Sequence, residues 1–307
     1  MSKLSPSVPV ETTLFIIENP LCIGEELVPK MSALERVKIN PLNYVANLDS
    51  PIGIYLRREL FKKEPALDAA LKKKLYEKIV ADQSEDGSWD QLFVTTANNL
   101  WNLALLGFDA EDPSVKTGLQ WLLSIQKETY RGHPGFFLSH NRKDSRTMRS
   151  IYYGEFGPRC TIFYQTTYAI HLFHLFGLDR DKQVETTINS YLQFWKPTWC
   201  GAWCTINVLN VLIEHPLSKQ SKPVESALNH FADLQSKTGT WKGLPFYPVF
   251  HALSRSDDTL AKKQLGNALP SVIRRQNNDG SWGRKEQQTE TFLVLDALKN
   301  IGTAEIR

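Results

Sequence analysis

The sequence predicts an all-α protein, an α/α toroid of about six inner and five to six outer helices, on three observations. A short motif returns along the chain. Gln83-Ser-Glu-Asp-Gly-Ser-Trp89 reappears as Gln276-Asn-Asn-Asp-Gly-Ser-Trp282 and, in worn form, as Gln235-Ser-Lys-Thr-Gly-Thr-Trp241. Gln126 and Gln193 stand where further copies would begin, and most intervals measure roughly 42 residues. Each interval also holds two helices of different character, an amphipathic one before the Gln and one apolar on nearly every side after the Trp. An open solenoid would be amphipathic throughout, whereas wholly apolar helices belong to an inner ring enclosed by an outer one. Finally, 8 Trp, 10 Tyr and 15 Phe supply ring surface that must be buried or must line a space.

Residues 1–45 read as an irregular strap, with ETTLFIIENPLCI as a docking segment, and residues 46–307 as the toroid. The first inner helix is PIGIYLRRELF, followed by TTANNLWNLALLG, TIFYQTTYAIHLFHLFG, TINVLNVLI, YPVFHAL and ETFLVLDAL. The outer helices are KKKLYEKIVADQ, VKTGLQWLLSIQ, VETTINSYLQ, VESALNHFADLQ and LGNALPSVIRRQ. Gly107 and Gly177 fit C-terminal caps. The Asp-Gly between helices suits a tight turn, and the Trp after it can wedge neighbouring units together. Residues 127–159 stretch one unit by about 25 residues. This insertion carries Lys127, Arg131, Arg142, Lys143, Arg146, Arg149 and Arg159, and it leads towards one mouth of the ring. A basic lid there could recognise a diphosphate, because guanidinium forks match phosphate oxygens; otherwise it is a solvated surface loop.

Composition excludes several classes. Lys plus Arg is 36 against 33 Asp plus Glu, a balance too even to argue for nucleic acid. Four cysteines make no disulfide framework and fit a reducing, cytoplasmic setting. No apolar run is long enough for a transmembrane helix, no secretory leader is expected, and peripheral membrane contact stays open. Neither a P-loop nor a dinucleotide-binding glycine pattern is present, so no cofactor is expected.

The Gln-x-x-Asp-Gly-Ser-Trp units at 83–89 and 276–282, on paired helices, resemble those of the squalene cyclase and prenyltransferase superfamily over roughly residues 50–302. That resemblance implies one toroid holding a polyisoprene chain in an aromatic-lined barrel. Family cyclases begin by protonating an alkene from an Asp-x-Asp-Asp-Thr motif, which is missing here. Arg255-Ser-Asp257-Asp258-Thr259 is a decoy, a turn and helix N-cap on the far rim. Alignment on the inner-helix ending Ala297-Leu298 puts Glu290 at the family's acid position. A lone Glu in an apolar barrel would have its pKa raised, as a general acid needs; the plain alternative is a helix N-terminal Glu favoured by the dipole.

Family prenyltransferases hold zinc with an Asp-x-Cys, also missing. An alternative zinc site could be drawn from Cys160, Cys200 and Cys204 at starts of inner helices, with Glu290 or His251; packing is the plain reading of the three thiols. His171 and His174 share a helix face, show no evident partner in the sequence, and read as core histidines. Trp101, Tyr164, Gln165, Tyr168, Trp203, Tyr247, Phe250, His251, Phe292 and Arg159 are the candidate substrate-binding residues, their π faces able to stabilise a carbocation. Phe246 lies among them in the sequence.

The expected function is a terpene cyclase- or isomerase-like enzyme using protonation-initiated carbocation chemistry on an apolar small molecule, polyisoprenoid, prenylated or diphosphate-bearing. The alternative is a non-catalytic toroid binding a lipid or protein partner. A carbohydrate-active α/α barrel would show paired carboxylates at its mouth, and the sequence offers one.

Overall fold

The architecture follows from the alternation of apolar and amphipathic helices. The structure, a computed structural model, describes residues 37–61, 66–128, 133–136, 138, 161–193 and 202–304. The helices are α1 (Leu42–Val45), α2 (Pro51–Phe61), α3 (Ala66–Ala81), α4 (Phe93–Leu105), α5 (Pro113–Ser124), α6 (Thr161–Leu175), α7 (Lys182–Gln193), α8 (Ala202–Glu214), α9 (Lys222–Leu234), α10 (Phe246–Ser254), α11 (Thr259–Arg274) and α12 (Gln287–Ala304). Helix α2 packs on α4, α4 on α6, α6 on α8, α8 on α10, α10 on α12, and α12 returns to α2. Among the described residues six inner helices thus close a ring, as the sequence predicts. Among the described residues α3, α5, α7, α9 and α11 form the outer layer. Each outer helix carries the chain back, so the inner helices all run in one direction.

The inner helices are apolar because both of their faces are covered. In α8 every residue from Cys204 to Ile213 is buried. Outer helices bury one stripe, as Val224, Ala227, Leu228 and Phe231 show in α9. The starts of α5 and α11 are capped. Asp112 accepts from the Ser114 and Val115 amides, with Pro113 in the first turn, and Asp258 accepts from the Leu260 amide at 2.7 Å, as its sequence position predicts. Gly107 and Gly177 stop inner helices at φ +82° and +74°, a left-handed conformation that side chains resist.

The repeated motif is a turn that ties three helices. Gln83 pairs with Trp89, Gln235 with Trp241 and Gln276 with Trp282 in isolated antiparallel bridges. Within the first, Asp86 accepts from the Ser88 amide and hydroxyl, and Gln83 Nε2 donates to the Gly87 carbonyl at 2.9 Å. That Nε2 also donates to the Ser114 carbonyl of the next outer helix. The Trp89 amide donates to Thr96 Oγ1 and its indole to the Ile79 carbonyl, and the Trp282 turn repeats both bonds with Thr291 and Val272. The worn copy differs: the Trp241 indole donates to Gln264 Oε1, whose amide donates to the Leu228 carbonyl.

A fourth copy departs from helix-only structure. Strand β1 (Gln126–Glu128) pairs antiparallel with β2 (Pro134–Phe136), and Gln126 faces Phe136 as the other Gln residues face Trp. Gln126 Nε2 donates to the Gln183 carbonyl and Thr187 hydroxyl of α7. Phe136 is fully buried against Phe173. The start of the insertion is therefore a motif turn lengthened into a hairpin. Of the basic run, Lys127 lies in β1, and Arg131, Arg142, Lys143, Arg146, Arg149 and Arg159 lie outside the described residues.

Residues 37–45, the described end of the irregular N-terminal stretch, are bonded to the ring. Gln276 Nε2 donates to the Ile39 carbonyl at 2.7 Å and Gln276 Oε1 accepts from the Ile39 amide, so this stretch stands where the next outer helix would. Arg57 in α2 binds the Val45 and Leu48 carbonyls and Asp68 together, locking the start of the ring. No helix among the described residues is long and apolar enough to cross a membrane.

Candidate functional site

Each inner helix contributes side chains to the ring's interior. Tyr55 comes from α2, Trp101 from α4, Tyr164 and Tyr168 from α6, Asn207 and Asn210 from α8, His251 from α10, and Phe292 and Asp296 from α12. Helical spacing explains the selection: Tyr164, Tyr168 and His171 share one face of α6, and Asn207 and Asn210 share one of α8. Phe292 is the hub. Trp101 meets it edge-on at 5.4 Å and 85°, with Tyr55 at 5.6 Å and His251 at 6.0 Å. Tyr168 lies against Tyr164 and Phe93, and its hydroxyl donates to Asn98 Oδ1. These five residues from the predicted set are buried, in two groups: Trp101 and His251 around Phe292, and Tyr164 beside Tyr168.

Others of the set lie elsewhere. Phe250 stacks with Phe246, which meets Trp241 and lies under the Arg275 guanidinium, so this pair fills the layer between the rings. Gln165 is buried and accepts from the Leu138 amide, serving the hairpin. Trp203 is half-buried at the start of α8. Cys204 is buried in α8; Cys160 and Cys200 lie outside the described residues, among which no group of three His, Cys, Asp or Glu side chains could hold a metal.

Glu290 sits in the first turn of α12 at the mouth. Its carboxylate lies over Gly283, where any Cβ would collide with it. Gly283 has φ +87°, so glycine serves both the turn and the acid. Burial raises the Glu290 pKa, the Glu286 charge adds to this, and the Arg284 amide opposes it. Tyr247, half-buried and one helical turn above His251, is the neighbouring ring; burial and the Glu290 charge both push its pKa up. On α12, Glu290 and Phe292 point to different sides, so the acid faces the α10 edge of the mouth and not the Phe292 hub.

Below the aromatic level is a layer of charge. Tyr55 donates to Asp296 Oδ1 at 2.5 Å, and His251 Nε2 bonds Asp296 Oδ2 at 3.0 Å. Arg255 pairs with Glu214 Oε1 at 2.7 Å, and His171 Nδ1 with Glu214 Oε2 at 3.2 Å. Burial alone would raise Asp296, but bonds from His251 and Tyr55 and the nearby Arg255 hold it well below the usual carboxylate range. Burial likewise opposes ionisation of Glu214, yet Arg255 and His171 bring it down to about 2. Burial lowers His171 to about 4 and lowers His251 too, so both rings are neutral near pH 7.

Sequence reading missed these partners. His171 and His174 look unpartnered in the sequence, but Glu214 lies 43 residues from His171, and Asp179 bonds His174 at 2.9 Å from beyond the helix end. The signals were single polar letters inside apolar helices: Asp296 in ETFLVLDAL, and Asn207 and Asn210 in TINVLNVLI.

Two openings bear on the chemistry. A cavity of about 10 Å³ lies between α6 and α8, lined by Tyr164, Thr167, Tyr168, His171, Asn207 and Asn210 among others. A cleft of about 420 Å³ opens at the opposite rim, around Glu214, Lys219, Ser221, Glu225, Arg255 and Asp258. The cleft is larger, but its walls carry both signs of charge and no aromatic ring, so it offers no berth to a polyisoprene. The small cavity is the one beside the aromatic interior.

No family model and no curated protein matches the sequence. Solved structures do resemble the fold. A variant of type II terpene cyclase MstE from Scytonema, bound to its product merosterolic acid A, is similar with TM-score 0.55 at 12% identity, over 89% of this chain and 94% of that one. Another variant, bound to its substrate geranylgeranyl dihydroxybenzoate, gives TM-score 0.54 at 12% identity over 83% and 88%. A protein from Actinoplanes gives TM-score 0.53 at 17% identity over 81% and 89%. At such identities the likeness shows the fold alone, and the chain has the helical fold of a terpene cyclase toroid.

Proposed function

We propose that this protein is a terpene cyclase- or isomerase-like enzyme acting on an apolar, prenylated small molecule. The observation that carries the reading is the closed inner ring with Trp101, Phe292, Tyr164 and Tyr168 gathered inside it. Such π faces stabilise a developing cation without supplying a nucleophile. The binding of geranylgeranyl dihydroxybenzoate by the similar MstE toroid supports the same substrate class.

In this proposal Glu290 is the proton donor. Its raised pKa keeps a share of it protonated, and its place at the mouth beside Tyr247 meets an alkene entering there. The carboxyl proton forms a C–H bond at the alkene, the positive charge passes inward along the aromatic faces, and transfer of a neighbouring C–H proton to water restores an alkene. The product is an isomer of the substrate. Tyr247 and His251 border the path of the chain, with Arg159 as a further candidate contact.

The test is incubation with geranylgeranyl dihydroxybenzoate and simpler prenylated arenes, followed by chromatography with mass detection. The expected result is a new peak of unchanged mass. Glu290→Gln should lower its rate at least about a hundredfold with the fold retained; undiminished turnover in that variant removes Glu290 from the role. The small interior cavity favours a second reading, a non-catalytic toroid binding a lipid or protein. Retention of a prenylated ligand without conversion would select it.

A further inference from the structure

The helix α8 carries an expense that its fold does not use. Asn207 and Asn210 are 5% and 2% exposed, in a helix otherwise built of Val, Leu, Ile, Thr and Cys in its buried stretch. Neither the carboxamide nitrogen nor the oxygen of either residue has a hydrogen-bond partner. Buried amides left in this state oppose folding, and Leu at both positions would relieve it. Both residues line the cavity between α6 and α8, opposite Tyr164, Tyr168 and His171.

The walls define what would complete them. No Lys or Arg lines the cavity, and the Glu214 carboxylate stands behind His171, so an anionic head such as a diphosphate is disfavoured. His171 is neutral there, its pKa lowered by burial. Two carboxamides present donors and acceptors together. A hydroxyl matches both functions; a carbonyl, which only accepts, leaves the Asn oxygens unpaired. A space of about 10 Å³ admits one oxygen and no ring.

We propose that Asn207 and Asn210 form a head-group subsite that binds the neutral hydroxyl of an isoprenoid alcohol. This rests on the reading of the ring as an isoprenoid site and names the polar group that site selects. The two Asn side chains are specificity-determining residues and take no part in the proton transfer.

The experiment is a tryptophan-fluorescence titration of the full chain with three probes: geranylgeraniol, the hydrocarbon of equal length ending in methyl, and geranylgeranyl diphosphate. The wild type should bind the alcohol about 10- to 100-fold more tightly than the hydrocarbon, and the diphosphate no more tightly than the hydrocarbon. N207L and N210L should each shrink the alcohol preference to within about threefold while keeping hydrocarbon binding, with an unchanged or raised melting temperature. If the Leu variants fail to fold, N207A and N210A carry the same comparison. Equal wild-type binding of alcohol and hydrocarbon, or a preference that survives the substitutions, overturns the proposal and leaves the cavity as a site for one structural water. Preferred binding of the diphosphate overturns it as well. If none of the three probes binds the wild type, the isoprenoid reading itself falls; if the hydrocarbon binds and the alcohol gains nothing, only the subsite does.

Discussion

At the scale of single residues, Arg57 is the side chain whose loss should be felt most. Its guanidinium grips both Asp68 oxygens and two backbone carbonyls, and the two side chains are 8% and 3% exposed. Removing either partner leaves a buried charge alone, so Arg57→Met or Asp68→Asn should cost about 3–5 kcal/mol in urea unfolding. A loss below about 1 kcal/mol would mean that water reaches the pair. Gly283 gives a second residue-scale prediction. Gly283→Ala forces the Glu290 carboxylate off its seat, so turnover should fall towards the level of Glu290→Gln while far-ultraviolet circular dichroism is unchanged. Full activity in Gly283→Ala would separate the seat from the acid. Little of this layer was legible in the sequence, because the partners are remote: Tyr55 meets Asp296 from 241 residues away and His251 meets it from 45. Position on a helix face predicts burial, and it does not predict which distant group will answer.

At the scale of elements, the repeated turn was legible in full where it is local. Gln, Asp, Gly, Ser and Trp fall within seven consecutive residues, and every one has a bonding or conformational task inside that span, the Trp through its bridge to the Gln. The sequence marks the fourth copy at Gln126 but not its ring, because Phe136 stands at the far side of a hairpin, beyond any fixed spacing. Gln83→Ala should cost about 1–2 kcal/mol, since its amide bonds the turn and the next outer helix at once. Phe136→Ala should cost about 3–5 kcal/mol, comparable to losing a motif Trp. If thermal unfolding shows Phe136→Ala to be mild, the hairpin is an ornament and not a copy of the turn. The cap at Asp258 followed from the sequence for the same reason of locality: donor and acceptor are two residues apart.

At the scale of the whole molecule, the buried charge layer gives stability a pH dependence. His171 and His251 are held neutral in the fold, His171 down to about 4, while in the unfolded chain they take up protons near 6.5. Their depressed values mean that stability is complete above about pH 6.5 and is lost as pH falls from there towards 4. Unfolding free energies from urea titrations at about pH 7.5 and pH 5 should differ by about 2 kcal/mol through His171, with His251 acting in the same direction and the slope reduced in His171→Gln. A flat profile would show that the folded rings carry charge. The ring itself was legible, because apolar helices alternating with amphipathic ones have few ways to cover themselves. What occupies the ring was not, since aromatic letters on inner helices serve the interior in Trp101 and Phe292 and the layer outside it in Phe250.

The bond from Gln276 to Ile39 spans 237 positions of the chain, and α12 rests on α2. A linear array of repeats can gain or lose a unit and cap whatever remains, and it can fray from its ends. A closed circle has no ends to fray, and its circumference admits one number of units. Copying or deleting one segment of about 42 residues would leave either a gap or an overlap where α12 meets α2. The closure also has to wait for the two extremities of the chain to find each other, which makes it a late and entropically costly step of folding. The count of six is therefore a geometric quantum, and variation is confined to where this chain shows it, in the length of a single connection between rings.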